Sequence, residues 1–291
     1  MELYAAVPDT LSIHCKEKNA ATLEVCGFFS SAVYMEDSAG NMYLIHNSKY
    51  GLLPFGFGVK NISTALALLN TDIGEIIGWS NEKLIFPNGC TVTLRKVALP
   101  EPKKEHGCPV SVPALERAVL ILKDSGRGAV PDLITREGIT GEEEESIYAK
   151  MSREPLQCLL DGFEHNSSSQ ISQALNRLIG LGPGLTPSMD DFLTGVLCTL
   201  HHANKYWGIP LTATETLSKS VQIIAPQRTG KYSKAYLLAA VQGDRFQIIE
   251  QVLSSFSDHS IRSLLNVGGH SGADMLTGLL WAMKRIVKAV K

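Results

Sequence analysis

The chain has 291 residues, of which 44% are hydrophobic and 19% charged, and a formal net charge of −2. That is globular composition, with apolar material for one large core or two smaller ones. The lack of a basic excess argues against nucleic acid as the main partner, and there is no acidic block of the kind that makes a solvating tail. Six cysteines, at positions 15, 26, 90, 108, 158 and 198, include no CxxC pair, so neither a zinc site nor a redox motif is signalled. Met1–Lys16 lacks the layout of a signal peptide, and no apolar run approaches the ~18 residues that span a bilayer. The expectation is a cytoplasmic protein with no membrane segment.

The first third reads as strands. Thr22–Val25 alternates, and Val33–His46 reads as a hairpin around a polar turn at Asp37–Asn41. Lys83–Phe86 and Cys90–Val97 flank Pro87-Asn88-Gly89, where Asn-Gly predicts a tight hairpin turn with positive φ angles. Cys90, Val92 and Leu94 then face inward. Asn61–Leu69 is the one helix predicted there, capped by Asn61. Four prolines between Leu99 and Pro113 mark a linker, which puts a β-rich domain at 1–110 and a second domain at 111–291.

Beyond the linker the hydrophobic period becomes helical. Ala114–Lys123 ends before Gly126, a C-cap signal. Asp124–Gly141 is polar and Gly-rich, and Glu142–Glu145 reads as the acidic first turn of a helix through Leu160. Further helices are predicted over Gln170–Ile179, Pro187–Tyr206, Thr214–Ile224, Ser233–Val241, Arg245–Phe256 and Gly272–Val290. The fold class is therefore α+β: an N-terminal β-rich domain followed by a mostly helical C-terminal domain.

Two of those helix starts echo each other. Ser188–Leu197 and Ser271–Leu280 both read S-x-x-D-x-L-T-G-x-L, at a constant offset of 83 residues. Ser followed three residues later by Asp resembles a capping box; in the first copy Thr186 is an alternative cap, with Pro187 at the first helical position. The glycine four residues after each Asp costs about 1 kcal/mol relative to alanine in a helix interior. Close approach of another backbone would compensate, so the two helices are expected to pack near Gly195 and Gly278.

Each start follows a Gly-rich turn, Gly180–Pro187 in one case and Gly268-Gly269-His270 in the other. Such turns present N–H groups beside the positive end of a helix dipole, which makes an anion site. The substrate-binding candidates are Gly182, Gly184, Thr186, Ser188, Ser271 and Gly272. Asp190, Asp191 and Asp274 complicate the anion reading, because carboxylates repel an anion unless they cap, pair with a cation or hold a metal. Asp190 has Ala273 as its counterpart, so it is a candidate for orienting a substrate N–H. Asp191 and Asp274 are either structural caps or substrate-facing groups. His270 is a candidate acid or base. Arg228-Thr229-Gly230-Lys231-Tyr232-Ser233 fails the P-loop pattern at Ala225 and Tyr232 but keeps cations suited to an anion. No metal-ligand spacing and no cofactor motif is present, and use of Mg²⁺ is left open.

Gly182-Pro183-Gly184-Leu185-Thr186-Pro187-Ser188 with Asp190-Asp191 resembles the signature of the AllH-type proteins, which include a subunit of bacterial oxamate carbamoyltransferase. Ser271-Gly272-Ala273-Asp274 with Leu276 and Gly278 is similar to that family's second block. Thr229 and Ser233, followed by Leu237 and Gly243, resemble the block between. The resemblance implies a part in allantoin and purine nitrogen breakdown. The implied reaction is phosphorolysis of oxalurate to oxamate and carbamoyl phosphate, run with companion carbamoyltransferase subunits. All these small molecules are anions. It adds Thr229 and Ser233 to the substrate-binding candidates. A non-catalytic assembly subunit and a metabolite-binding regulator remain as alternatives.

Overall fold

The structure is a computed structural model that describes residues 2–8, 11, 21–80, 82–135, 145–210 and 212–289. Cys15, most of the acidic run (Glu142, Glu143, Glu144), the end of the Gly-rich stretch before it and Val290 lie outside the described residues. The chain divides into two compact units, Met1–Glu101 and Pro102–Lys291. The first is strand-rich and the second helical, so the fold is α+β.

The first unit is a closed eight-stranded barrel. Its strands are β1 (Glu2–Pro8), β2 (Ala21–Phe29), β3 (Ala32–Asp37), β4 (Met42–Asn47), β5 (Gly56–Val59), β6 (Ile76–Ser80), β7 (Lys83–Ile85) and β8 (Thr91–Val97), with α1 (Ile62–Leu69) between β5 and β6. Their spatial order is β1-β5-β4-β3-β2-β6-β7-β8. Closure comes from β1 pairing in parallel with β8 along its whole length, which leaves no sheet edge exposed. Alternate residues point inward: Leu23 and Val25, Val33 and Met35, Tyr43 and Ile45, Ile77 and Trp79 share one core. Tyr43, Phe57 and Trp79 pack ring against ring there, with Tyr43 and Trp79 edge to face at 4.9 Å.

The predicted hairpins and the Asn61 cap form as expected. The turn at Pro87–Gly89 differs in kind. Gly89 alone adopts positive φ, and its N–H closes a turn onto the Phe86 carbonyl. Asn88 instead uses its side chain, accepting from the Cys90 N–H and donating to the Leu68 and Leu69 carbonyls. A type I turn followed by a left-handed glycine needs only one residue of positive φ.

The helical unit comprises α2 (Val112–Ser125), α3 (Asp132–Thr135), α4 (Ile147–Glu164), α5 (Ser168–Leu178), α6 (Ser188–Tyr206), α7 (Thr212–Arg228), α8 (Lys231–Val241), α9 (Gln247–Ser255), α10 (Asp258–Leu265) and α11 (Ser271–Ala289). The stretch predicted as one helix from Arg245 starts later, because Arg245 turns back to pair with Glu250. Helix α10, capped by a reciprocal Ser257–Ser260 box, was not predicted.

The two echoed helices, α6 and α11, cross at their glycines. A Cβ built on Gly195 would lie 2.0 Å from the Met275 carbonyl oxygen, and one on Gly278 would lie 1.9 Å from that of Phe192. Phe192 and Met275 are themselves related by the 83-residue offset, so the crossing has an internal two-fold character. Thr194 and Thr277, one residue before each glycine, are fully buried and return their hydroxyls to the carbonyls of Asp190 and Ala273. Both side chains are thus satisfied within their own helix while the backbones touch.

Gly195→Ala or Gly278→Ala gains about 1 kcal/mol of helix propensity but forces the two backbones apart. Overpacking of this kind costs about 1–3 kcal/mol, and more where the obstructing atom is backbone. Chemical denaturation followed by far-UV circular dichroism should show net destabilisation of the helical unit in each variant, and a double variant less destabilised than the two single losses added together.

Candidate functional site

The crossing at Gly195 and Gly278 brings the first turns of α6 and α11 side by side. Their first helical turns match, while the loops before them differ in length and path. The Met189 N–H bonds the Leu181 carbonyl, and the equivalent Gly272 N–H bonds that of Val267. Asp190 and Asp191 donate their N–H groups to the Pro187 carbonyl, as Ala273 and Asp274 do to that of His270. Thr186 meets Ser271 across the pair at 3.0 Å between hydroxyl oxygens.

Neither start uses the predicted capping box. Pro187 occupies the N-cap of α6, with no side-chain cap bond. The serine and aspartate of each copy turn toward the other copy instead. The Ser271 hydroxyl lowers the Asp191 carboxyl, and the Ser188 hydroxyl lowers that of Asp274. The second contact is open in geometry. Ser188 Oγ and Asp274 Oδ2 are buried, and neither has a hydrogen-bond partner among the described residues. The two groups face each other across the seam without a well-formed hydrogen bond.

The three aspartates sit in different donor environments. Asp190 has the most donors: Oδ1 accepts from the Gly180 N–H at 2.8 Å, and Oδ2 from Thr229 Oγ1 at 2.5 Å and Ser233 Oγ at 2.7 Å. It therefore ties the start of the glycine loop to the α7–α8 junction, and both oxygens are occupied. The structure thus places Asp190 in contacts with this chain's own backbone and hydroxyls. Thr229 and Ser233 are spoken for by the same contacts. Asp274 Oδ1 accepts two backbone N–H groups, from Ala129 at 2.8 Å and Val130 at 3.0 Å. Asp191 has hydroxyl partners alone, with Thr186 Oγ1 at 3.1 Å from Oδ2 and Ser271 beside it.

Burial raises all three carboxyls above the ordinary aspartate range. For Asp190 the three donors only soften the effect, and for Asp274 Ser188, Val130 and Ala129 do so. Asp191 is raised furthest in kind, well above its ordinary value. Burial acts first there, and the charges of Asp274 and Asp190 add to it against the two hydroxyls. Among the described residues no group of three or more His, Cys, Asp or Glu side chains is arranged to hold a metal ion.

The glycine loop itself is built around Gly182, at φ 129°, where a Cβ would lie 2.3 Å from the Ser188 nitrogen. Only glycine lets the loop fold back onto the helix start. Gly184 sits at the exposed tip, also at positive φ. Gly272 is packed against the Leu264 carbonyl, and its N–H is bonded to Val267. It is thus a packing residue, not a ligand donor as predicted. His270 is exposed at the α11 start, where its charge lowers the Asp274 carboxyl.

One functional segment was missed. Gly126-Arg127-Gly128-Ala129-Val130, between α2 and α3, supplies both backbone donors to Asp274. A Cβ on Gly128 would sit 2.8 Å from Asp274 Oδ1. The Gly-x-Gly pattern was the available signal. Elsewhere in this unit a cavity of about 350 Å³ is lined by Cys198, His201, His202, Arg245, Phe246 and Glu250. It borders the later turns of α6 and uses neither glycine loop.

Two helix N-termini, each preceded by a glycine-containing turn, thus meet with hydroxyls and carboxyls at the seam. Residues 178–283, which contain both helix starts and the Thr229–Ser233 segment, match the family described as oxamate carbamoyltransferase subunit AllH. No solved structure matches the chain. Among the described residues no helix is long and apolar enough to cross a membrane.

The sign of the pH dependence follows from the raised carboxyls. An unfolded aspartate titrates near ~4, whereas folded Asp190, Asp191 and Asp274 hold their protons to higher pH. Between those limits the folded chain binds more protons than the unfolded one, so these groups favour folding most at the acid end and less as pH rises. Asp191→Asn should therefore gain stability relative to the parent chain as pH is raised from 4 toward 8, as read from parallel thermal melts.

Proposed function

We propose that the paired starts of α6 and α11 form the substrate site of a carbamoyltransferase subunit acting on oxalurate, oxamate and carbamoyl phosphate. The supporting observation is the seam of the two helix starts itself, where the buried Ser188 hydroxyl and Asp274 carboxyl face each other outside good hydrogen-bond geometry. Both accept hydrogen bonds, and the serine also donates. A carbamoyl or ureido group offers N–H donors and a carbonyl oxygen in one plane, which suits such a pair. The family matched by residues 178–283 supports the same chemistry through its description.

In this reading the loop backbone from Gly182 to Ser188, with Gly269 and His270, meets the anionic end of the ligand. The N–H groups of the first helical turns do not, since they are bonded internally. Thr186, Ser188 and Ser271 add hydroxyl donors. Asp274 accepts from the transferred –NH2. Asp190, Thr229 and Ser233 act as positioning residues that fix the loop at Gly180. In phosphorolysis a phosphate oxygen bonds to the ureido carbonyl carbon, the carbon–nitrogen bond to oxamate breaks, and the departing nitrogen takes up a proton. Donors preorganised around the carbonyl oxygen, where charge grows, are the main catalytic term. Companion subunits complete the enzyme, and Mg²⁺ is an open requirement of the assembled reaction.

A thermal-shift titration of the purified chain with oxamate, oxalurate, carbamoyl phosphate and phosphate checks this reading. A ligand at 100 times its Kd stabilises by about 2.7 kcal/mol. The expected result is a shift with at least one of these anions that is lost in Ser188→Ala and in Ser271→Ala. No shift with any of them would turn the reading toward an assembly subunit whose partners hold the substrate.

A further inference from the structure

The cavity of about 350 Å³ in the helical unit lies between the last turns of α6, the turn from α8 to α9 and the first turns of α9. Its volume falls within the roughly 300–1,000 Å³ of small-molecule sites. Phe246, Ile249 and Leu253 give it a buried apolar lining, and the carboxamides of Asn204 and Gln242 are exposed beside it. Apolar walls with a few convergent polar groups are the usual make-up of such a site.

One lining side chain has no polar partner. His202 is 6% exposed, and among the described residues no hydrogen bond reaches its ring nitrogens. Its ring is held against Tyr206 and Trp207, at 4.8 and 5.1 Å between centroids. The neighbouring His201 shows the contrast. Ser218 Oγ lies 3.3 Å from its Nε2, and the Val241 backbone bonds it as well. Among the described residues, the side-chain atoms that are both sealed and unpartnered belong to His46, Ser188, Thr214 and Asp274. His202 is not one of them, so its nitrogens open onto the cavity that it lines. Buried polar groups are as a rule hydrogen-bonded, and an unpartnered imidazole aimed into an open volume points to a bound molecule.

The charges around the cavity set the class of that molecule. Arg245 Nε lies 2.8 and 3.0 Å from the two Glu250 oxygens, and both side chains are largely buried. Lys205 and Asp244 complete the charged lining, one of each sign. An anion would meet the carboxylates of Glu250 and Asp244, which both bear on Cys198. A cation would meet Arg245 and Lys205, which both bear on His202. An ion of either sign would therefore leave water with no net opposite charge to offset the cost, whereas an uncharged molecule needs only hydrogen bonds. Burial first, and then those two cations, hold His202 down at about 4. At neutral pH its imidazole is thus uncharged and offers one donor and one acceptor.

We propose that this cavity is a second small-molecule site, which binds an uncharged compound of the amide class with His202 as a hydrogen-bonding partner. Asn204 and Gln242 offer the same mixture of donors and acceptors at its exposed side. The site uses the last turns of α6 and the seam uses the first, so neither reading depends on the other.

NMR of the full chain, isotope-labelled in its histidine rings, reads the site directly. His202→Phe keeps a ring against Tyr206 and Trp207 and identifies the His202 signals by their loss. Hydantoin and uracil, both uncharged cyclic amides at neutral pH, are the probes, with acetate and methylammonium as charged controls. The expected result is a saturable shift of the His202 ring signals with at least one amide and with neither ion. Calorimetry should then show binding about tenfold weaker in His202→Phe, the loss of one hydrogen bond. The absence of a saturable shift with both amides would overturn the site, as would equal affinity in the parent and His202→Phe. A larger response to acetate or methylammonium than to either amide would overturn the ligand class. If His202→Phe does not fold, a crystal of the parent chain soaked with hydantoin decides: density for the probe against His202 supports the site, and ordered water alone overturns it.

Discussion

Everything at the candidate site depends on one contact, the backbone-to-backbone crossing of α6 and α11. The carbonyls of Phe192 and Met275 occupy the space where side chains on Gly278 and Gly195 would be. A side chain at either glycine would spread the helices and separate Thr186 from Ser271, and with them the reciprocal Ser–Asp partners. Because the crossing lies about two turns into each helix, it sets the spacing of the two N-termini directly. The buried threonines beside it return their hydroxyls to their own helices, so no polar group obstructs the approach.

The loops then act as spacers of fixed shape. Asp190 joins Gly180 to Thr229 and Ser233, so the glycine loop is tied to the end of α7 and the start of α8. Asp274 does the same for the Gly128–Val130 segment. Two of the three seam carboxylates are thus explained by the backbone they hold. Asp191 accepts from the Thr186 hydroxyl, which also meets Ser271 across the seam. The barrel unit's closed, side-chain-filled interior is a core in its own right.

Much of this was legible in the sequence. The 83-residue echo marked both helix starts, and the paired glycines announced a close crossing because a helix-interior glycine needs such a reason. The hairpins followed from alternation, and Asn61 and Gly126 from capping chemistry. What escaped was set by tertiary context. Strand β1 gives only a weak local signal, and its place comes from pairing with β8, some ninety residues away. The capping-box reading of Ser188–Asp191 and Ser271–Asp274 failed because each serine finds the aspartate of the other helix, a pairing that no single segment can reveal. Asp190 reads locally as a spare carboxylate at a helix start, and only the fold brings Thr229 and Ser233 onto it.

The most direct measurement is a crystal structure of the chain soaked with oxamate. The account predicts electron density for one molecule at the seam of α6 and α11, within hydrogen-bonding distance of Ser188, Ser271 and Asp274, with the helix crossing unchanged. Ordered oxamate in the cavity beside His202 and Arg245, with the seam vacant, would contradict it.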